Sequence, residues 1–356
     1  MNTTGQYNAS TGSGALILNT TGNENTANGF EALASNDDGS YNTAVGSRAL
    51  FRNGSGTLNT AVGERALYNN TKGILNTAIG NAALLFNTVG EQNTAIGANS
   101  LDRNSIGTSN TATGQFALAY NTEGNQNTAC GVYALQYNAT GNNNIAIGYN
   151  SGTFSGGFNN TVSIGNDGWL NAFDNQVFLG NASTGWIGGW VGWSIYSDGR
   201  MKNKITEEVK GLEFIKRLRP VTYYRSIKTA TSLTSNKETK DFPQKYDVEK
   251  IKFSGFLAQE VEKAAEESSY DFDGVHKPKN EHDLYSLSYE SFVVPLVKAV
   301  HEQQSIIESL QKQAEAAKAE IPMQIGKQQS IIEKQQKQID DLLKELQLIK
   351  EKIIKQ

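Results

Sequence analysis

The chain has 356 residues, 38% of them hydrophobic, and a formal charge of -4 at neutral pH. That is long enough for two or three domains but lean in apolar residues for one large globule, and it carries no broad basic field for nucleic acid. Cys130 is the only cysteine, which excludes an intrachain disulfide and a zinc site of cysteine type, and no run approaches the ~20 apolar residues of a membrane-spanning helix.

Composition also divides the chain: Gly, Asn and Thr crowd the first half, and Lys, Glu and Gln the second. Met1-Asn2-Thr3-Thr4-Gly5 lacks the basic and apolar regions of a secretory signal, so either export is not by that route or the sequence is a piece of a longer chain. Self-similarity then governs the first half. Asn25, Asn42, Asn59, Asn76, Asn93, Asn110, Asn127 and Asn144 open copies of Asn-Thr-Ala-x-Gly at a constant period of 17 (42 − 25 = 17). In phase with them run a leucine (Leu33, Leu50, Leu67), an asparagine three positions later (Asn36, Asn53, Asn70) and a further glycine (Gly39, Gly56, Gly73).

A unit this short gains a core only by stacking on copies of itself. Its leucine, its alanine and the Val or Ile of the motif (Val45, Val62, Ile79, Ile96, Ile147) are the expected core, its glycines the expected corners, and its asparagines candidate side-chain ladders. The implied architecture over residues 1–149 is a β-solenoid or β-roll. Cys130 occupies the Val/Ile slot and is expected to be a buried small hydrophobe, while Asn28 and Thr113 break the apolar rule there and mark weaker coils. These N-T-A-V-G and N-T-A-I-G units resemble the repeats of trimeric adhesin heads and bacterial tail-fibre-like proteins, which implies left-handed parallel β-rolls wound as homotrimers. A surface rich in Asn, Thr and Ser is also a candidate contact for a cell-surface glycan or receptor.

After Gly148 the period is expected to fail, leaving residues 150–196 as a neck. All four tryptophans lie there, Trp169, Trp186, Trp190 and Trp193, alternating with glycine as in short strands packed about an axis, or as in an aromatic sugar-binding patch.

At residues 197–292 the chemistry changes. Ser197-Asp198-Gly199-Arg200-Met201-Lys202 places a turn signal between a serine and a lysine. Five residues of continuous helix would rotate by about 500° and part the two side chains, so only the turn can join them. If it does, a desolvated and neutral Lys202 can take the proton of Ser197, whose hydroxyl then attacks the Tyr196 carbonyl. The bare spacing recurs by chance in most proteins; its position between two unlike halves gives it weight. Downstream, residues 211–219 read as an amphipathic helix stopped by Pro220 and followed by a strand, 226–250 as a polar loop, and Gly255–Val261 as the start of a helix.

Together S-D-G-R-M-K, L-R-P-V-T-Y-Y, G-F-L-A-Q-E-V and the Tyr-rich approach to the last helix resemble the intramolecular chaperone auto-processing domain of endosialidase-type tailspikes and tail fibres (Peptidase_S74), over roughly residues 197 to 310. The resemblance implies a trimeric domain that helps an N-terminal β-fibre assemble and then cleaves itself off. The family's dyad of serine and lysine falls on Ser197 and Lys202, with cleavage between Tyr196 and Ser197. Asp198, Arg200, Gln259 and Glu260 match recurrent positions, in supporting roles. His276, His282 and His301 read as surface residues, and nothing in the sequence suggests a metal or cofactor.

Over residues 293–356 Val293, Leu296, Val300, Ile307 and Leu310 fit a heptad, and Ile332, Ile339, Leu342, Leu346, Ile349 and Ile353 fit a second. Pro322 and Gly326 between them are expected to end or kink the helix. The expected whole is an elongated homotrimer: β-solenoid, Trp/Gly-rich neck, α+β chaperone domain and coiled coil. It would be a virion tail fibre or a bacterial surface fibre that processes itself, the alternative being a non-cleaving trimeric adhesin.

Overall fold

The structure, a computed structural model, describes residues 2–152, 157–166, 173–234, 241, 243–280 and 283–354, so Trp169 and His282 lie outside it. The chain forms two compact units. One comprises Met1–Tyr196 with Val221–Gly255 and Lys277–Tyr285, the other Ser197–Pro220 with Phe256–His276 and Ser286–Gln356.

The first unit contains the expected β-solenoid. Eleven strands of three residues stack parallel and in chain order: β1 (Ala9–Thr11), β2 (Thr26–Asn28), β3 (Thr43–Val45), β4 (Thr60–Val62), β5 (Thr77–Ile79), β6 (Thr94–Ile96), β7 (Thr111–Thr113), β8 (Thr128–Cys130), β9 (Ile145–Ile147), β10 (Val162–Ile164) and β11 (Val177–Leu179). Successive copies of the motif pair directly, as Ala44 with Ala61 and Ala61 with Ala78, so every motif position forms a rank along the stack. The dry core consists of two alanine ranks and one leucine rank, for instance Ala44, Ala49 and Leu50, all fully buried.

The asparagine ladders are also inside. Asn42 and Asn53 are buried, and both side-chain amides donate to one carbonyl, that of Gly56, at 2.8 and 2.7 Å. Each ladder also links coils, since Asn53 Nδ2 donates to Asn36 Oδ1 at 2.7 Å and the Asn42 backbone N–H donates to Asn25 Oδ1 at 3.0 Å. The Gly56 position must stay glycine, because a Cβ there would lie 2.3 Å from Asn70 Nδ2 and 2.5 Å from Asn53 Oδ1.

Two expectations about the coil are corrected. The Val/Ile slot faces outward: Val45, Ile79, Ile96 and Ile147 are 37–43% exposed, and Cys130 is exposed as well. A strand alternates its faces, so burying the central alanine turns the residues on both sides away from the core. Asn28 and Thr113 therefore leave no gap inside. Positive φ is also not confined to glycine, since the buried leucines Leu16 to Leu135 hold φ between 47° and 54°. The left-handed conformation costs an ordinary residue roughly 1–2 kcal/mol, whereas burying a leucine side chain returns about 1.5–3 kcal/mol. Each leucine N–H is also tied to the next coil, as Leu50 to the Ala66 carbonyl at 2.9 Å.

Nor does the stack stop at Gly148. Thr161 stands where the next asparagine would, one full period after Asn144, and its Oγ1 donates to Asn144 Oδ1 at 2.7 Å. Phe158 supplies the carbonyl that glycine supplies elsewhere, accepting from Asn144 Nδ2 at 2.7 Å. Substitutes that keep donor and acceptor in place carry the sheet on to β11. Beyond it, residues 185–197 form no strand or helix, and Trp186, Trp190, Trp193 and Tyr196 are at least 83% exposed.

Also in this unit, β12 (Val221–Tyr223) pairs antiparallel with β13 (Phe253–Gly255). Part of the region expected as loop is instead helical over Ile227–Thr234, and the Ile227 N–H there donates to Glu249 Oε1 at 2.6 Å.

Three helices belong to the second unit. Counted in chain order, Leu212–Ile215 is α1, the Ile227–Thr234 helix of the first unit is α2, and Ala258–Glu267 is α3. The α1 helix is shorter than expected, consistent with Pro220 forcing its predecessor toward extended backbone. Gly255 lies at the end of β13, so α3 begins only at Ala258. A short pair, β14 (Val275–His276) and β15 (Ser286–Leu287), completes the mixed α/β core around the buried Phe214, which meets the rings of Phe272 and Tyr270 at 4.9 and 5.3 Å.

Residues Val293–Ile354 form one helix of 62 residues, α4, and Pro322 lies inside it without ending it. Proline forfeits one backbone hydrogen bond at a cost of about 3 kcal/mol. The two heptad frames are nonetheless compatible, because the step from Ile321 to Ile332 is close to three full helical turns, and the apolar stripe stays on one side.

One flaw in the solenoid is testable. Asp102 Oδ1 is buried without a hydrogen-bond partner, and burial raises the carboxyl above its ordinary range against the opposing pull of Arg103. The penalty is therefore present at neutral pH and vanishes as the pH falls through and below the ordinary carboxylate range, where folded and unfolded chains are both protonated. Asp102→Ala, which copies Ala119 one coil on, is expected to stabilise the solenoid by about 1 kcal/mol at pH 7. Thermal unfolding should show no gain near pH 3.

Candidate functional site

The Ser197–Lys202 stretch is folded by its own turn. The Asp198 carboxylate accepts from the Arg200 N–H at 2.9 Å and so starts a 3-10 turn over Gly199–Met201, closed when the Lys202 N–H donates to the Gly199 carbonyl at 3.1 Å. A tight turn of this kind does what a continuous helix could not. It returns Lys202 to Ser197, and Lys202 Nζ donates to Ser197 Oγ at 2.7 Å.

Arg200 reinforces the turn by laying its guanidinium across both Asp198 oxygens, with Nε 3.1 and 3.0 Å from them. That ion pair holds the Asp198 carboxyl below the usual carboxylate range. Ser197, Lys202 and the preceding Tyr196 are all exposed. In the single chain the hydroxyl and the amine therefore meet in water.

Gln259 and Glu260 lie in the first turn of α3. Gln259 is exposed, whereas Glu260 is engaged by a residue the sequence reading did not single out: Arg219 holds both of its oxygens, with Nε 3.1 Å from Oε2. The guanidinium lowers the Glu260 carboxyl, so this pair, like Asp198–Arg200, contributes above the ordinary carboxylate range and is lost as the pH falls through the lowered value. Among the described residues no hydrogen bond or ion pair joins Gln259 or Glu260 to Ser197 or Lys202. Of the histidines, His276 is half-buried in β14 and His301 is exposed on α4. Among the described residues no group of three or more His, Cys, Asp or Glu could hold a metal ion, and no helix is long and apolar enough to cross a membrane.

Residues 197–270 match the family model described as "Chaperone of endosialidase", Peptidase_S74. No curated protein and no solved structure matches the chain. The matched chaperone segment begins at Ser197 itself, so the boundary between the halves and the start of the family segment coincide. It contains Ser197 and Lys202, the capping turn, α1, the Arg219–Glu260 pair and α3.

A second feature missed from sequence ties the matched segment to the last helix. Gly211 offers no side chain to cap α1, and Glu302 of α4 supplies the acceptor instead, its Oε2 receiving the Leu212 N–H at 2.8 Å. A Cβ on Gly211 would lie 2.8 Å from the Ala299 backbone nitrogen, so glycine allows α1 to rest directly on α4. Pro295 and Ala299 are buried and Glu302 half-buried, a spacing that defines one face of α4, and the buried Phe292 lies in the 3-10 turn just before it.

Glu302→Ala is expected to cost about 1–2 kcal/mol of local stability, read as faster hydrogen exchange at the Leu212 amide. Glu302→Gln keeps an acceptor oxygen and should retain most of the protection.

Proposed function

We propose that this chain is a fibre subunit of a phage tail or bacterial surface whose C-terminal segment acts as an intramolecular trimerisation chaperone and then releases itself by cutting between Tyr196 and Ser197. The observation that carries the reading is the 2.7 Å approach of Lys202 Nζ to Ser197 Oγ at the first residue of an endosialidase-chaperone segment.

In the proposed chemistry a neutral Lys202 amine accepts the Ser197 hydroxyl proton as Oγ attacks the Tyr196 carbonyl carbon. The Tyr196–Ser197 C–N bond breaks, an ester forms between Tyr196 and Ser197 Oγ, and the lysine ammonium returns the proton to the freed Ser197 amine. Water then hydrolyses the ester, leaving a Tyr196 carboxylate and restoring the hydroxyl. Asp198 and Arg200 hold the turn; Arg219 and Glu260 brace α3.

Desolvation of the lysine is the remaining requirement, because an ammonium in water holds its proton. Assembly of three copies about the exposed neck and the exposed stripe of α4 supplies it, and makes cutting follow assembly. The order also suits the folding problem, since stacked parallel strands form slowly and expose edges on the way.

Freshly expressed chain is expected to run as two fragments, Met1–Tyr196 and Ser197–Gln356, the smaller one beginning Ser-Asp-Gly-Arg-Met. Ser197→Ala should stay intact, and so should Lys202→Arg, whose side chain keeps its charge but cannot become a neutral base. An intact wild-type band in a folded trimer would remove self-cleavage from the proposal and leave a non-cleaving fibre.

A further inference from the structure

Aromatic residues are not scattered over the solenoid. Apart from Tyr41, every Phe and Tyr between residues 8 and 150 lies in the turn that follows the motif glycine. Equivalent positions lie one above another along the stack, so ring meets ring there. Phe51 with Tyr68, Phe116 with Tyr133 and Tyr120 with Tyr137 have centroids 5.0, 5.6 and 5.2 Å apart and planes inclined by 10° to 15°. Of these three stacks, the last alone joins two phenols. Tyr133 also meets Tyr149, but at 80°. The Tyr120–Tyr137 pair is held in place by its backbone, since the Tyr120 N–H donates to the Gln136 carbonyl at 2.9 Å. Arg103, one coil earlier at the same position, donates its N–H to the Ala119 carbonyl at 2.9 Å and sets its guanidinium 4.9 Å from the Tyr120 centroid. Arg103 and Tyr137 therefore flank Tyr120 on opposite sides along the stack, and the phenol next to Tyr120 is Tyr137. Tyr120 is exposed and Tyr137 half-buried, so small reagents reach the pair.

We propose that Tyr120 and Tyr137 form an oxidative modification site, at which a one-electron oxidant such as a haem peroxidase working on hydrogen peroxide joins them as dityrosine. Each phenol gives up one electron and its hydroxyl proton, leaving two phenoxyl radicals. A carbon–carbon bond then forms between an ortho Cε of one ring and an ortho Cε of the other. Each of those carbons passes its proton to its own hydroxyl oxygen, which restores both aromatic rings. The chain loses two hydrogen atoms in all, and one hydrogen peroxide is reduced to two waters. Holding the two rings one coil apart, about 4.8 Å, replaces a chance encounter of radicals with a local one. The perpendicular Tyr133–Tyr149 pair lacks this alignment, and the Phe–Tyr stacks lack the second phenol. The bond would tie two consecutive coils of the solenoid together, so that they could no longer part when the stack unfolds.

Glu123 lies between the two tyrosines and makes the link easy to read. Folded full-length chain is treated with a haem peroxidase and limiting hydrogen peroxide, then digested on the carboxyl side of glutamate. The peptide Gln92–Glu123 holds Tyr120 as its one tyrosine, and Tyr137 lies in the peptide that begins at Gly124. Mass spectrometry should find the two peptides joined and two hydrogen atoms lighter than their sum. On a denaturing gel the linked chain should not double in mass, because the bond lies within one chain. Tyr120→Phe and Tyr137→Phe keep the stacked ring and with it the fold, and each should lower the yield of the joined peptides by about tenfold or more. Three results would each overturn the site: no joined peptides once the peroxide is consumed, joined peptides that persist in Tyr137→Phe, or joined peptides found only in chains of doubled mass.

Discussion

The solenoid depends on one convergence of hydrogen bonds, two asparagine amides from a single coil donating to one glycine carbonyl. A single coil encloses too little volume for a large apolar core, and its interior is two alanine ranks and one leucine rank. The backbone that turns the corners must find partners inside. Asn42 and Asn53 supply two donors to the Gly56 carbonyl, while their own oxygens accept from the following coil. A buried polar group costs about 1–3 kcal/mol when unpaired. Here the same amide satisfies its own coil and ties it to the next, so the penalty is avoided and register is fixed along with it. A slip of one residue would leave a whole ladder unpaired, which specifies the stack more sharply than alanine packing could.

The repeat, its period and the presence of ladders were legible in the sequence because they depend on recurrence alone. Which side of each strand faces inward was not. Ala44 and Val45 are both apolar, and a strand of three residues is too short for alternation to register as a pattern. The smaller residue goes inside because the coil is narrow, which sends Val45, Ile79 and Cys130 out. The continuation past Gly148 was hidden for a different reason. Thr161 and Phe158 preserve the hydrogen bonds of Asn and Gly without preserving their identities, and a search for letters does not see a retained donor.

At the candidate site the residues were legible and the geometry was not. Ser197 and Lys202 could be named from their position at the seam, but whether they meet depends on Asp198 capping a 3-10 turn with the Arg200 N–H. That contact is purely local and gives no periodic signal. Arg219 and Glu302 escaped notice because their partners are 41 and 90 residues away in the chain. Long-range pairs of this kind become visible only when α1, α3 and α4 are seen in one core.

The last helix has one committed face and one open face. One side of its first turns, from Pro295 through Ala299 to Glu302, is committed to the core and caps α1. The side carrying Val293, Leu296 and Val300 is left open. A helix held on one face has its rotation fixed, so the direction of the open stripe is set by the chaperone core and not by whichever partner arrives. The near-whole-turn step from Ile321 to Ile332 keeps the two heptad frames in phase across Pro322, while each heptad of a straight helix turns the stripe by about 20°. In the proposed assembly, copies that meet along this stripe would bring their cores together in an orientation set by that contact, each core beginning at a serine and a lysine already 2.7 Å apart. Ser197 and Lys202 are exposed in the single chain, so what the proposed cleavage still requires is the exclusion of water from that pair.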